Sequence, residues 1–183
     1  MKCSVFIACS LDGFIARKNY SLDWLTSIPN EIGTDFGYNR FMQNIDAIIM
    51  GRNSFETALK FDSWPYSKPV CVLSRTLHEI PARLRESVSI RRDDVKDILG
   101  YFERQHMEHL YIDGGKTIQT FLKEDLIDEM FVTTSGRLLG SGIPLFGTIG
   151  REIDFEILST KRLNPYLSQT VYVRNRNFRY QTP

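Results

Sequence analysis

Short runs rich in Val, Ile, Phe and Tyr alternate with stretches of helical period along most of this chain, and that alternation restricts the fold more than any other feature. Eight segments read as strands: 3–8, 46–50, 69–74, 88–91, 109–113, 129–134, 154–161 and 169–175. Between them Tyr38, Phe41, Met42 and Ile45 recur at i, i+3, i+4 and i+7. Val95, Ile98, Leu99 and Phe102 repeat that spacing behind Asp93, which reads as an N-cap, and Ile118, Phe121, Leu122 and Leu126 form a third stripe. A shorter helix is expected over 54–59. The pattern predicts one α/β domain across 1–183, with a central, mostly parallel sheet of eight strands and helices on both faces. The last two strands are joined only by a turn near Asn164-Pro165 and should form a C-terminal antiparallel hairpin. Sheets of this kind bind ligands at the carboxyl ends of their strands.

The 183 residues suit a single domain. With 23 basic against 22 acidic side chains, nothing points to a nucleic-acid or acidic-membrane partner. The locally basic stretch 174–179 reads as a solvated strand end and tail. Cys3, Cys9 and Cys71 are odd in number and lack C-x-x-C spacing, so they read as small core residues of a reducing cytoplasm, with no disulfide framework or metal site. The apolar N-terminal stretch is interrupted by Asp12 and Gly13, unlike a signal peptide. No run approaches the roughly 20 apolar residues of a membrane helix.

Two strand-to-helix turns have the chemistry of phosphate sites. In Gly51-Arg52-Asn53-Ser54 the glycine permits a sharp turn and Arg52 offers a guanidinium. In Asp113-Gly114-Gly115-Lys116-Thr117 paired glycines allow close backbone approach, and Lys116 and Thr117 open a helix. Neither turn matches G-x-G-x-x-G or G-x-x-x-x-G-K-[ST]. Between them a strand delivers Ser74 and Arg75, a pair able to grip a monophosphate. Each turn read alone is also compatible with an ordinary connection bearing a solvated cation, and the Gly-Gly turn alone favours that reading. Asp35 lies three residues before Tyr38 and seven before Met42, so it heads an apolar stripe. Placed there, it is expected to be desolvated, with a raised pKa suited to proton transfer. The competing reading is a carboxylate capping a first helical turn.

In order along the chain stand Ala8, Leu11-Asp12-Gly13-Phe14-Ile15-Ala16, Trp24, Asp35, Ile49-Met50-Gly51-Arg52-Asn53-Ser54, Leu73-Ser74-Arg75 and Ile112-Asp113-Gly114-Gly115. That order resembles the dihydrofolate reductase superfamily over residues 1–146. Ser10-Leu11-Asp12-Gly13-Phe14-Ile15-Ala16, Asp46-Ala47-Ile48-Ile49-Met50-Gly51-Arg52, Leu126-Ile127-Asp128-Glu129 and Leu138-Leu139-Gly140-Ser141-Gly142-Ile143-Pro144-Leu145-Phe146 narrow the resemblance. They are similar to the reductase half of the bifunctional riboflavin-biosynthesis deaminase–reductase and its free-standing relatives. The H-x-E and P-C-x-x-C signature of the deaminase half is absent.

The resemblance implies a dihydrofolate reductase-like fold and an NADPH-dependent oxidoreductase. Hydride would pass to a heterocyclic or ribosylamino substrate, most like 5-amino-6-(5-phosphoribosylamino)uracil. Under it, Gly51, Arg52, Asn53 and Ser54 contact NADPH, Ser74 and Arg75 take its 2′-phosphate, and Gly114, Gly115, Lys116 and Thr117 hold its pyrophosphate. Ala8 and Ile15 wall the nicotinamide, Asp35 is the acid, and Ser10, Asp12 and Gly13 touch substrate. Arg17, Lys18 and Arg137 are the candidates for a substrate phosphate. A homodimer is implied as well, using residues 143–146 and the edge hairpin. A true dihydrofolate reductase, or a nucleotide-binding protein that has lost the chemistry, are the alternatives.

Overall fold

The computed structural model of the chain describes residues 1–30 and 34–176. Eight strands form one sheet in the order β5-β4-β3-β6-β1-β7-β10-β9. The parallel part comprises β1 (Lys2–Cys9), β3 (Ala47–Gly51), β4 (Val70–Leu73), β5 (Val88–Arg91), β6 (His109–Asp113) and β7 (Glu129–Ser135). Then β9 (Phe155–Asn164) and β10 (Leu167–Arg174) complete it as an antiparallel pair beside β7. This is the expected dihydrofolate reductase-like α/β architecture. A two-stranded ribbon of β2 (Phe14–Ala16) and β8 (Ile143–Pro144) lies apart from the main sheet.

The central strands read as unbroken apolar runs because both of their faces are covered. In β3, Ala47 and Ile49 join one core while Ile48 and Met50 join the other. The first core is closed by α4 (Val95–Arg104) and α5 (Gly115–Lys123), through Ile98, Phe102, Ile118 and Phe121. The second is closed by α2 (Tyr38–Gln43) and α3 (Arg52–Ala58), through Phe41, Met42 and Phe55. Adjacent strands β3 and β6 therefore send their following helices to opposite faces of the sheet. A crevice opens at such a point, outside the carboxyl ends of the strands.

Several details differ from the sequence expectation. Asp94, not Asp93, occupies the cap position of α4, and Asp93 instead meets Arg91 at 2.9 Å. The helix expected over 54–59 starts two residues earlier, at Arg52. Leu126 lies beyond α5, because Asp125 turns the chain with φ of 55°. The basic C-terminal stretch is no free solvated tail where it is described. Arg174 is held by Asp125 at 2.7 and 3.1 Å and donates to the Asp154 carbonyl, and Arg176 meets Asp128 at 2.7 Å. Residues 177–179 lie outside the described residues.

The three cysteines are free and buried, and burial pushes the Cys3 thiol up to about 12 and that of Cys71 to about 11. They are packing residues, as expected. Among the described residues no group of His, Cys, Asp and Glu could hold a metal ion, and no helix is long and apolar enough to cross a membrane.

Candidate active site

The two strand-to-helix turns meet at the crevice. A Cβ added to Gly51 would come within 3.1 Å of Thr117 Oγ1, and one added to Gly114 would overlap the Ser54 hydroxyl. Gly114 also has φ of +85°, a conformation that L side chains rarely adopt, so both sterics and backbone require glycine there. A Cβ on Gly115 would press on the Pro144 carbonyl at 2.9 Å and on Ile15 at 3.0 Å. The β6–α5 turn is thus a close-packed cradle, its Cβ positions filled by Ser54 and by the β2–β8 ribbon. Lys116 stands exposed at the first turn of α5, where the helix dipole already favours an anion.

A cleft of about 1110 Å³ runs over these turns. That exceeds the upper end of typical ligand pockets, roughly 1,000 Å³, and leaves room for a dinucleotide together with a second small molecule. Its walls differ from end to end. Toward β4 and β5 they carry Arg52, Ser74, Arg75, Arg91 and Arg92. Toward β1 and the far end of α3 they carry Phe6, Ile15, Leu22, Leu25, Phe61 and Tyr66.

The cationic end is only partly committed to the protein itself. Arg52 pairs with Glu56 at 2.6 Å and donates to Thr76 Oγ1 at 3.0 Å. Arg91 lies near Asp93 and over the Tyr101 ring at 4.1 Å. Arg75 has no ion-pair or hydrogen-bond partner among the described residues, although it lines the cleft. Ser74 Oγ accepts from the Thr76 and Leu77 amides, which fixes the oxygen and leaves its proton to donate outward.

Asp113 sits where the two ends join, as the last residue of β6 and on the cleft lining. The Tyr111 hydroxyl donates to Asp113 Oδ1 at 3.1 Å and lies 2.9 Å from the Phe6 carbonyl. Desolvation raises the Asp113 pKa above the ordinary 3.8, outweighing the lowering effect of hydrogen bonds from Tyr111, Gly114 and Ser54. Burial, with the Asp113 charge adding to it, also raises Tyr66, and raises Tyr38 to about 12. Around the carboxyl group there is therefore a shell of neutral phenols. Sequence reasoning passed over Asp113 as part of a glycine turn. The signal that could have found it is a carboxylate ending an otherwise apolar strand immediately before Gly-Gly.

Asp35 behaves otherwise than expected. It is exposed, does not line the cleft, and accepts from the Gly37 and Asn39 amides at 2.9 and 2.7 Å. Those hydrogen bonds lower its pKa, so the expectation of a desolvated acid is overturned. The stripe argument failed because Phe36 and Gly37 turn the chain with positive φ and Asp35 precedes the helix.

The structure also ties Ser10, Asp12 and Gly13 into a turn outside the cleft lining. Ser10 Oγ donates to Asp12 at 2.5 Å, and Asp12 accepts from the Leu139 and Gly140 amides. Gly13, at φ of +81°, accepts from Leu145 N at 2.9 Å. Ala8, Ile15, Gly51, Arg52, Asn53, Ser54, Ser74, Arg75, Gly114, Gly115, Lys116 and Thr117 all line the one cleft. Tyr20, not anticipated, reaches Asn53 with its hydroxyl at 2.7 Å and so bridges the cleft between α3 and the connection from β2 to α1 (Asp23–Thr26).

Known proteins agree with this architecture. A protein from Shewanella sp. PV-4, provisionally assigned to riboflavin biosynthesis, is 46% identical and has a TM-score of 0.92, over 96% of this chain and 100% of that one. The uncharacterised Bacillus subtilis proteins YwjB and YyaP are 31% and 28% identical, over 94% and 91% of this chain and 98% and 91% of their own lengths. The Thermotoga maritima diaminohydroxyphosphoribosylaminopyrimidine deaminase/5-amino-6-(5-phosphoribosylamino)uracil reductase shares the fold at 16% identity, with a TM-score of 0.72 over 95% of this chain and 56% of that one. The sequence profile of the RibD C-terminal domain matches residues 2–167, and the chain belongs to that family.

Proposed function

We propose that the protein is an NADPH-dependent oxidoreductase, a pyrimidine-reductase-like enzyme that reduces a C=N or C=O bond of a heterocyclic or ribosylamino substrate. The observation that supports this best is the meeting of the two glycine turns beside free Arg75 and a carboxyl group of raised pKa, in one cleft. The residues fit the cofactor. Gly114 and Gly115 line the cleft at the start of α5, which suits a pyrophosphate, Lys116 adds its charge, and Arg75 with Ser74 suits the 2′-phosphate that distinguishes NADPH from NADH. Ala8 and Ile15 offer an apolar wall for the nicotinamide.

When bound, the cofactor would supply a hydride, a proton carried with two electrons, to the electrophilic carbon. Asp113, whose pKa burial raises, delivers a proton to the nitrogen or oxygen of the reduced bond and regains one from water. Tyr111 orients the carboxyl group through its hydroxyl. Tyr20, bonded to Asn53, partly covers the cleft and limits access of water.

The free, buried cysteines suit a cytoplasmic protein. We also propose a homodimer, though not through the whole of 143–146. Ile143 and Pro144 form β8 and Leu145 is buried, which leaves Phe146 and the β9 residues Ile157 and Leu158 exposed. Light scattering at micromolar concentrations checks this, and a monomer there refutes it. Fluorescence titration with NADPH and NADH tests the main reading. Saturable binding with at least a roughly tenfold preference for NADPH is expected, the effect of one charge-assisted hydrogen bond. Equal affinities, or none, would remove it.

A further inference from the structure

The far end of the cleft is the substrate compartment if the reductase reading holds, and its chemistry is unlike that of a phosphate site. Every Lys or Arg lining the cleft among the described residues (Arg52, Arg75, Arg91, Arg92 and Lys116) belongs to the cofactor end or the β6–α5 cradle. The two arginines expected to receive a substrate phosphate are engaged elsewhere. Arg17 is held by Asp23 at 2.7 and 3.0 Å, and Asp23 is fixed in turn by Ser21. Arg137 donates to the Trp24 carbonyl and to Ser27 Oγ, both at 3.0 Å, and so clamps the segment containing fully buried Trp24. Lys18 is exposed and does not line the cleft.

What the compartment presents is apolar and aromatic. Phe6, Leu22, Leu25, Phe61 and Tyr66 form its walls, and Phe61 shows 48% of its surface. An open aromatic face stacks on a flat ring, for about 0.5–1.5 kcal/mol beyond the burial itself. Of the titratable groups lining the cleft here, Tyr20 is bonded to Asn53 and Glu56 is paired with Arg52, which leaves Asp113 from β6 and Tyr66 from the α3–β4 connection. Both can bond the N–H and C=O edges of a heterocycle. A phosphate dianion would lose its hydration here with no cation to replace it, and would face the Asp113 carboxyl group.

We propose that this protein reduces a planar, unphosphorylated nitrogen heterocycle, and that it excludes phosphate esters from the substrate compartment. The proposal rests on the reductase reading above. It separates this chain from the phosphoribosyl chemistry that its family resemblance implied.

Calorimetric titration of the NADP⁺-loaded protein tests it. The probes are uridine, a ribosylaminopyrimidine and riboflavin, each compared with its own 5′-phosphate ester. At least one parent compound is expected to bind, roughly tenfold or more tighter than its ester. An ester binding more tightly than its parent, or no binding by any parent, overturns the proposal. Failure of NADP⁺ to bind strikes the reductase reading instead, so the two failures are distinct. The exposed position of Phe61 makes Phe61→Ser a tolerable second probe. That variant should lose roughly 2- to 10-fold in affinity for the bound parent ring, with NADP⁺ affinity and melting temperature unchanged. An unchanged ring affinity also counts against the proposal.

Discussion

The two ends of the cleft were built from different parts of the chain and solve different problems. The β3–β4–β5 end is assembled from strand termini, and its arginines stand at or just beyond them. The β1 end is assembled from a strand, the β2–α1 connection and the stretch after α3, which supply rings and branched apolar groups. Charge placed on strand ends suits a ligand whose anionic groups are fixed in number and spacing. Apolar walls on connecting segments suit a flat ligand, whose identity can change without altering the sheet. Asp113 and the Gly114-Gly115 cradle stand at the seam between the two.

The largest effect is expected at that seam. Asp113→Asn should lower turnover by roughly 10²–10⁴-fold, the usual range for loss of general acid catalysis, while NADPH affinity changes little. The same variant carries a stability signature. The folded pKa of Asp113 lies above the ordinary 3.8, so the folded state holds its proton longer than the unfolded chain does. Stability in the native protein is therefore undiminished below 3.8 and falls as pH rises from there through the raised folded value. Asn cannot ionise, so the variant should melt higher than the native protein at neutral pH, with the gap closing in acid. Thermal melts across pH, beside steady-state kinetics, check both parts.

At the cationic end, Arg75→Ala should weaken NADPH binding by roughly 10–150-fold and leave NADH nearly unaffected. Equal losses for the two cofactors would show that Arg75 does not read the 2′-phosphate. Across the cleft, Tyr20→Phe removes one hydrogen bond to Asn53. A rise in substrate KM of roughly 2- to 10-fold is expected, with the cofactor preference retained. Outside both ends, Asp35→Ala should leave turnover unchanged and lower the melting temperature at neutral pH. The hydrogen-bonded Asp35 carboxylate has a depressed pKa, so its contribution is present above 3.8 and lost as pH falls through the folded value. The melting deficit should shrink over the same range. A large loss of turnover would restore Asp35 as an acid.

The β–α alternation made the parallel sheet legible, because strands buried on both faces must be apolar throughout and their crossovers must show helical period. The hairpin was legible from the short separation of its strands. The β2–β8 ribbon was not, since three residues pair with two across a long sequence gap and carry no periodicity. At the site, glycines and cations stood out by residue type, and the cleft gathers them. Asp35 misled because helical spacing was extended through Phe36 and Gly37, whose positive φ no stripe count reveals. Asp113 was missed for the converse reason. Its surroundings of Tyr111, Tyr66 and Ser54 come from three separate elements and exist only after folding.

The most direct measurement is a crystal structure of the NADP⁺ complex. The 2′-phosphate should lie within hydrogen-bond distance of Arg75 and Ser74, and the pyrophosphate against Gly114, Gly115 and Lys116. The nicotinamide should rest on Ala8 and Ile15, facing the compartment that Asp113 borders. Crystals grown at saturating NADP⁺ without bound dinucleotide, or with the adenosine phosphates seated among Phe6, Phe61 and Tyr66, would contradict the account.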